Sequence, residues 1–205
     1  MSFVDDWTAR AEGADGVVFD FGGVISRSPL EGWALYPFCA ARGLSRADVD
    51  AGWTRYRRLW DGGFISFEEM YRRVFADAGR PFSEADLPAL WEVDAVAWIR
   101  DLRPETLALM RRLKEAGRKI GILTNMSPDF HARLFVPRAA AYRALADVEV
   151  VSGLEHLCKP DRAIYDLTAK RMGLPPERLL FLDDTPGNVE AARALGWRSE
   201  VYPPR

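Results

Sequence analysis

Cysteine, histidine and lysine are scarce in this 205-residue chain. It has two cysteines, Cys39 and Cys158, two histidines, and only four lysines (Lys114, Lys119, Lys159, Lys170) among 28 basic residues. Two cysteines cannot form a disulfide framework, so the expected setting is a reducing one, the cytoplasm, with each thiol a small buried hydrophobe. A basic excess is also lacking: 28 bases face 30 acids, for a formal net charge of -2. A nucleic-acid partner would call for a basic surface, and none is expected. No apolar run exceeds five residues, against the roughly 20 that span a bilayer, so no membrane partner is expected either. The first 16 residues hold Asp5, Asp6, Glu12 and Asp15 and no apolar stretch of the signal-peptide kind. There is no internal repeat and no low-complexity tract.

What is present reads as a soluble globular protein, 48% hydrophobic and 28% charged. The run Gly16-Val17-Val18-Phe19-Asp20 is short, apolar and ends in a carboxylate, the pattern of a strand buried on both faces. Further strands are expected at Lys119 to Asn125, Val148 to Val151, Leu179 to Leu182 and Ser199 to Tyr202. Helices fall between them: one starts at Pro104 and stops at Gly117, one follows Ser127-Pro128 until Pro137, one runs from Lys159-Pro160 to Gly173, and one from Pro186 to Gly196. From about Ser28 to Leu102 only helical periods occur. Ser45 to Asp48 and Ser66 to Glu69 read as capping boxes, Trp60 to Phe64 as a loop, and Pro81 and Ser83 as the opening of a helix carrying Trp91 and Trp98.

Strands alternating with helices predict an α/β fold: a Rossmann-like, three-layer parallel sheet core. The helical block is too long for a plain crossover and predicts an inserted helical-bundle cap. The expected division is 1–25 and 103–205 for the core and 26–102 for the cap.

Ligands of open α/β sheets bind outside the carboxyl ends of the strands. Those ends carry Asp20, then Thr124 and Asn125, then Asp183 and Asp184, and Lys159 opens the helix leading to the last pair. Three carboxylates at one sheet edge repel each other unless a cation neutralises them, and oxygen ligands suit Mg²⁺. Thr124, Asn125 and Lys159 are donors suited to a phosphoryl group. The set points to Mg²⁺-assisted phosphoryl transfer on a small phosphorylated molecule, with one carboxylate left to act as nucleophile. Singly, each element has a plainer reading as a cap, a turn or a solvated loop; their order and spacing carry the functional one.

Those four elements, Val17-Val18-Phe19-Asp20-Phe21-Gly22-Gly23-Val24, Ile122-Leu123-Thr124-Asn125, Lys159-Pro160 and Phe181-Leu182-Asp183-Asp184, resemble the four motifs of the haloacid dehalogenase superfamily. The resemblance extends from about Gly16 to Tyr202, and the place of the helical insert resembles the family's helical-cap class. It implies that Asp20 is the nucleophile that forms an aspartyl-phosphate and also binds Mg²⁺. It implies the backbone carbonyl of Gly22 and the carboxylate of Asp184 as further metal ligands, with Asp183 binding directly or through water. Thr124 and Asn125 would hold phosphoryl oxygens, and Lys159 would bridge the phosphoryl group and Asp20.

Gly22 departs from the family's phosphatases, which carry a second Asp two residues after the nucleophile as general acid–base, a contribution of about 10²–10⁴-fold. Three readings follow. One is a phosphatase resembling the branch of sugar-1-phosphate phosphatases and the amino-terminal domains of soluble epoxide hydrolases; an anomeric oxygen leaves with little protonation. A second is a metal-independent 2-haloacid dehalogenase, whose halide needs no proton, but which has no use for the Asp183-Asp184 pair. A third is a non-catalytic or regulatory binding protein, against which stands the cost of burying unpaired carboxylates. A phosphomutase would need the acid–base partner that Gly22 lacks.

Other residues have plainer expectations. His131 and His156 read as packing or surface histidines, with His131 the candidate to replace the missing acid. Arg57-Arg58 and Trp60 to Phe64 sit in the expected cap, where the resemblance places substrate specificity, while by itself Arg57-Arg58 reads as a solvated helix face. The Gly62-Gly63 loop reads as a substrate contact, Trp53, Trp60, Trp91 and Trp98 as packing, and Gly187 and Asn188 as shaping the loop after the Asp pair. The substrate and the oligomeric state, monomer or homodimer, stay open at this point.

Overall fold

The computed structural model describes residues 2–29 and 32–203. Its centre is one five-stranded, all-parallel sheet: β1 (Gly16–Phe19), β2 (Lys119–Thr124), β3 (Val148–Val151), β4 (Leu179–Asp183) and β5 (Arg198–Val201). The strand order is β3-β2-β1-β4-β5. Side chains alternate between two cores. Val17 and Phe19 of β1 enter one hydrophobic cluster, and Val18 enters the other, as the two-residue period of a strand requires. Helices α1 (Phe3–Arg10) and Pro104–Glu115 cover the first face; Arg162–Met172 and Pro186–Ala194 cover the second. This is the Rossmann-like three-layer fold. The fifth strand begins one residue earlier than its apolar pattern suggests.

The N-terminal helix was not legible as an apolar pattern, but Ser2 and Asp5 form a reciprocal capping box that starts it, and its single buried residue, Trp7, packs against Tyr202 with ring centroids 4.8 Å apart. Between β1 and Pro104 the chain is helical: α2 (Leu35–Ala40), α3 (Arg46–Asp61), α4 (Phe67–Asp77), and a run over 84–100 that includes a π turn at Trp91–Ala95. The Ser45–Asp48 box is complete. At Ser66 only the serine oxygen bonds, accepting from the Glu69 amide, so the predicted box is half formed. The loop expected at Trp60 starts two residues later, because α3 continues through Asp61. Pro137 does not stop its helix, which runs to Arg138 after a π turn at His131–Phe135. The two connections of the insert meet as a bridge between Ser26 and Leu102. Buried Arg103 ties that junction to the sheet edge by donating to the carbonyls of Gly23 (2.7 Å) and Pro203 (3.1 Å).

Candidate active site

The sheet register places the site. Phe19 is level with Leu182 of β4 and Ile122 of β2. One residue on, Asp20 therefore stands beside Asp183, and its amide donates to the Leu182 carbonyl at 2.9 Å. The chain runs outward from β1 to β3 and returns at β4, so the β1–β4 crevice is the reversal point where ligands of such sheets bind. Asp20, Asp183 and Asp184 each bring one oxygen to within 4.8 Å of the others.

Lys159 lies between them. Its Nζ is 2.8 Å from Asp20 Oδ1 and 2.6 Å from Asp183 Oδ2, and the lysine side chain is fully buried. Burial opposes its charge, but Asp183 and Asp20 outweigh that and hold the ammonium above its usual pKa. Asp20 is driven the other way. Burial pushes it up most, Lys159 opposes, and Asp183 and Asp184 push it further up. Asp184 is raised by burial and then by Asp183.

Asn125 acts on the lysine backbone. Its Nδ2 donates to the Lys159 carbonyl (3.0 Å), and its Oδ1 accepts from the Lys159 amide (2.8 Å). These two bonds clamp the segment that carries Lys159, and Asn125 also lines the cavity into which Asp20 and Lys159 face. Asp183 is also engaged: besides Lys159 it accepts from the Thr185 amide (2.8 Å) and from Asn188 Nδ2 (3.1 and 3.2 Å). Asp184 is freer; among the described residues its only side-chain partner is the Thr185 hydroxyl, at 3.2 Å. Thr124 ends β2 and lines the same cavity as Asp20, Lys159 and Asp184.

The donor set suits a hard divalent cation. Three carboxylates and one ammonium leave two uncompensated negative charges, and all the candidate ligand atoms are oxygens. Asp20 and Asp184 have oxygens outside the hydrogen-bond network, and Asp183 is bound on both of its oxygens. The Gly22 carbonyl accepts no hydrogen bond from the described residues. Gly23 was missed in the sequence, and its role is steric. Its φ is +72°, and a Cβ there would lie 2.0 Å from Asp184 Oδ2, so only glycine lets that carboxylate in.

The cavity measures about 250 Å³. Its far wall comes from the helical insert and corrects several expectations. Arg57 is no solvated face: its Nε donates to both Asp61 oxygens (2.8 and 2.9 Å), and it lines the cavity. Arg58 alone is exposed, paired with Asp161. Trp53, Trp60 and Trp98 line the cavity as well as packing, whereas Trp91 stacks on Phe67 at 4.4 Å. The spacing 53, 57, 60, 61 on one helical face was the available signal. Gly62 and Gly63 stay off the cavity, because Gly63 abuts the core at Gly153, where a Cβ would meet the carbonyl at 2.6 Å. His131 is bound to Glu149 at 2.7 Å and does not line the cavity, so it cannot stand in for the acid missing at Gly22. His156 Nδ1 bonds the Gly62 carbonyl at 2.9 Å. Cys39 and Cys158 are free and buried, as expected.

Among the described residues no helix is long and apolar enough to cross a membrane. The model of the haloacid dehalogenase-like hydrolases matches residues 14–196. The sesquiterpene phosphatase astK of Aspergillus oryzae is 28% identical over 87% of this chain and 85% of that protein. An (S)-2-haloacid dehalogenase of Pseudomonas fluorescens is 34% identical over 45% of this chain and 40% of that protein. Two other curated relatives are much longer than their matched part, which spans 17% of one and 44% of the other. Among solved structures, the enzyme bt-2542 of Bacteroides thetaiotaomicron, in complex with magnesium and inorganic phosphate, superposes with a TM-score of 0.70 at 18% identity, covering 94% of this chain and 96% of that one.

Proposed function

The chain belongs to the haloacid dehalogenase-like hydrolases, and from that premise we propose that it is a Mg²⁺-dependent phosphatase acting on small phosphomonoesters, sugar phosphates among them, through an aspartyl-phosphate on Asp20. The observation that carries the reading is Lys159 held between Asp20 and Asp183 while Asp184 stays open beside them. Asp20, Asp184 and the Gly22 carbonyl would hold the ion, with Asp183 reaching it directly or through water. Bound there, Mg²⁺ supplies positive charge against the phosphoryl oxygens. The helical insert serves as a cap over the site.

The protein's own groups then have defined tasks. Lys159 and the Thr124 hydroxyl bind phosphoryl oxygens and orient the phosphorus toward Asp20. One Asp20 oxygen attacks phosphorus, the ester P–O bond breaks, and the leaving oxygen departs with its electron pair. Water then hydrolyses the acyl phosphate, releasing inorganic phosphate and restoring the carboxylate. Positioning and neutralisation supply most of the acceleration in such transfers. No side chain at position 22 protonates the leaving oxygen, so esters of more acidic alcohols are favoured.

Dehalogenase-named relatives keep a second reading open, 2-haloacid dehalogenation without metal. The buried Asp183 and the open Asp184 speak against it, since a metal-free site for an anionic substrate gains nothing from two extra carboxylates. Phosphate release from a panel of phosphomonoesters, run with Mg²⁺ and with EDTA, decides between them. Expected is Mg²⁺-dependent release that is abolished in Asp20→Asn; chloride release from 2-chloropropionate in EDTA would support the dehalogenase.

A further inference from the structure

The wall opposite Asp20 carries a polar pair that the phosphoryl chemistry does not use. Resting on the phosphatase reading above, we propose that Arg57 and Asp61 determine specificity. They present a donor and an acceptor to hydroxyl groups on the part of the substrate away from phosphorus, so the site selects phosphomonoesters with a neutral, hydroxyl-bearing body over those with a second anionic group.

The pair is built to stay in place. The Arg57 guanidinium lies over the rings of Trp53 (4.2 Å), Trp60 (4.6 Å) and Trp98 (5.6 Å). Such stacking orients the planar group at little further entropic cost. Asp61 ends α3, and its carbonyl accepts from the core hydroxyl of Ser152 at 2.6 Å. The neighbouring Trp60 Nε1 donates to Asp129 at 3.0 Å. The wall is therefore tied to the sheet domain at Trp60 and at Asp61.

Its hydrogen-bonding capacity is incompletely used. Asp61 takes only the Nε proton of the guanidinium. Nη1 and Nη2 make no hydrogen bond with the described residues; Nη1 is fully buried and out of a ligand's reach, whereas Nη2 is not fully buried. The Arg57 side chain is nevertheless 20% exposed, and the cavity is what it lines. Nη2, the unpartnered donor that is not fully buried, is the one a substrate oxygen can meet, and a hydrogen bond to a charged donor is worth more than one to a neutral donor.

Charge decides the class of oxygen. Arg57 is offset by Asp61, and a third group, the buried carboxyl of Asp94, lies close enough to both to act on them electrostatically. A second carboxylate or phosphate on the substrate would be desolvated against a wall with no net positive charge. A hydroxyl group both donates and accepts, so it can serve Asp61 and Arg57 together. Trp53 and Trp98, stacked at 12° with centroids 6.0 Å apart, add flat apolar surface suited to C–H faces. A cavity of about 250 Å³ lies at the low end of the roughly 300–1,000 Å³ of small-molecule sites, which favours a small body.

The test compares kcat/KM, with Mg²⁺ throughout, for glycerol and hexose phosphates, phosphoglycolate and p-nitrophenyl phosphate. In the wild-type protein the hydroxyl-bearing esters should exceed phosphoglycolate by about tenfold or more, the size of one hydrogen bond to a charged group. In Arg57→Gln and Asp61→Asn the ratio of hydroxyl-bearing ester to p-nitrophenyl phosphate should fall by about tenfold, mainly through KM. A preference for phosphoglycolate, or ratios unchanged in both variants, overturns the proposal. The double variant Arg57→Gln/Asp61→Asn leaves no lone buried charge; if the single variants do not fold, it and the wild-type preference decide. No Mg²⁺-dependent phosphate release from any ester overturns the phosphatase reading, and this proposal with it.

Discussion

The Trp98 indole stands over Gly22, so near that a Cβ at position 22 would lie 3.3 Å from its Cζ3. The ring is held from behind by Trp53 at 6.0 Å and edge-on by Trp33 at 6.3 Å. A side chain at position 22 would start in tight contact with the aromatic wall of the cavity.

Gly22→Asp is accordingly expected to fail as a gain of function. The added Cβ crowds the indole, and overpacking of this kind costs about 1–3 kcal/mol. Turnover of esters with poor leaving groups should not improve, while Gly22→Asp with Trp98→Ala has room to show an improvement. A leaving-group series with thermal melts checks both variants; better turnover of alkyl phosphates in Gly22→Asp alone would show that the indole yields.

Gly23→Ala tests the neighbouring contact. Its methyl would sit 2.0 Å from Asp184 Oδ2 at a φ of +72°. Asp184 must swing out of the site, so Mg²⁺ affinity and activity should both fall, by about 100-fold or more in kcat/KM, equivalent to about 3 kcal/mol of lost stabilisation. Isothermal titration with Mg²⁺ separates loss of the ion from loss of fold; unchanged affinity would free Asp184 from the role of ligand.

The strand ends were the legible part of this molecule. Asp20, Thr124, Lys159, Asp183 and Asp184 stand out in the sequence because each interrupts a buried run or opens a helix, and parallel register alone brings Asp20 beside Asp183. The far wall was hidden for a physical reason. Arg57 and Asp61 are four residues apart on a helix, which is what a solvated ion pair also looks like. Only tertiary packing, which lays three indoles over the guanidinium, tells the two apart. Asn125 was legible in place but not in partner: the link from β2 to the Lys159 backbone spans 34 residues and depends on how two loops approach.

That link supports a third prediction. Asn125→Ala removes both bonds to the Lys159 backbone, and Asn125→Asp keeps an acceptor for the Lys159 amide but sets a carboxylate against the Lys159 carbonyl. Each should lower stability by about 1–3 kcal/mol and lower kcat more than it raises KM, because the lysine proposed to orient the phosphoryl group loses its anchor. If KM alone rises, Asn125 meets substrate directly and the clamp is incidental.

The carboxylate cluster makes stability depend on pH and metal together. Unfolded Asp residues titrate near 3.8; in the fold, burial first, and then neighbouring carboxylates, push Asp20 up to about 8, and burial lifts Asp61 to about 6. Asp184 is raised as well. Where the folded pKa exceeds the unfolded one, the folded state binds more protons, so stability falls as pH rises through that interval. Lys159 does not offset this, because its raised pKa contributes stability already complete below 10.5. The metal-free protein should therefore lose stability between about pH 4 and about pH 8. On the proposed function Mg²⁺ should bind the ionised cluster and oppose the loss, by about 2.7 kcal/mol at a hundredfold excess over Kd. Melting curves in EDTA and in Mg²⁺ should diverge as pH rises, and Asp184→Asn should shrink the gap. Curves a constant distance apart would place the ion away from Asp20 and Asp184. The share due to Asp61, which pairs with Arg57 outside the cluster, should survive in both series.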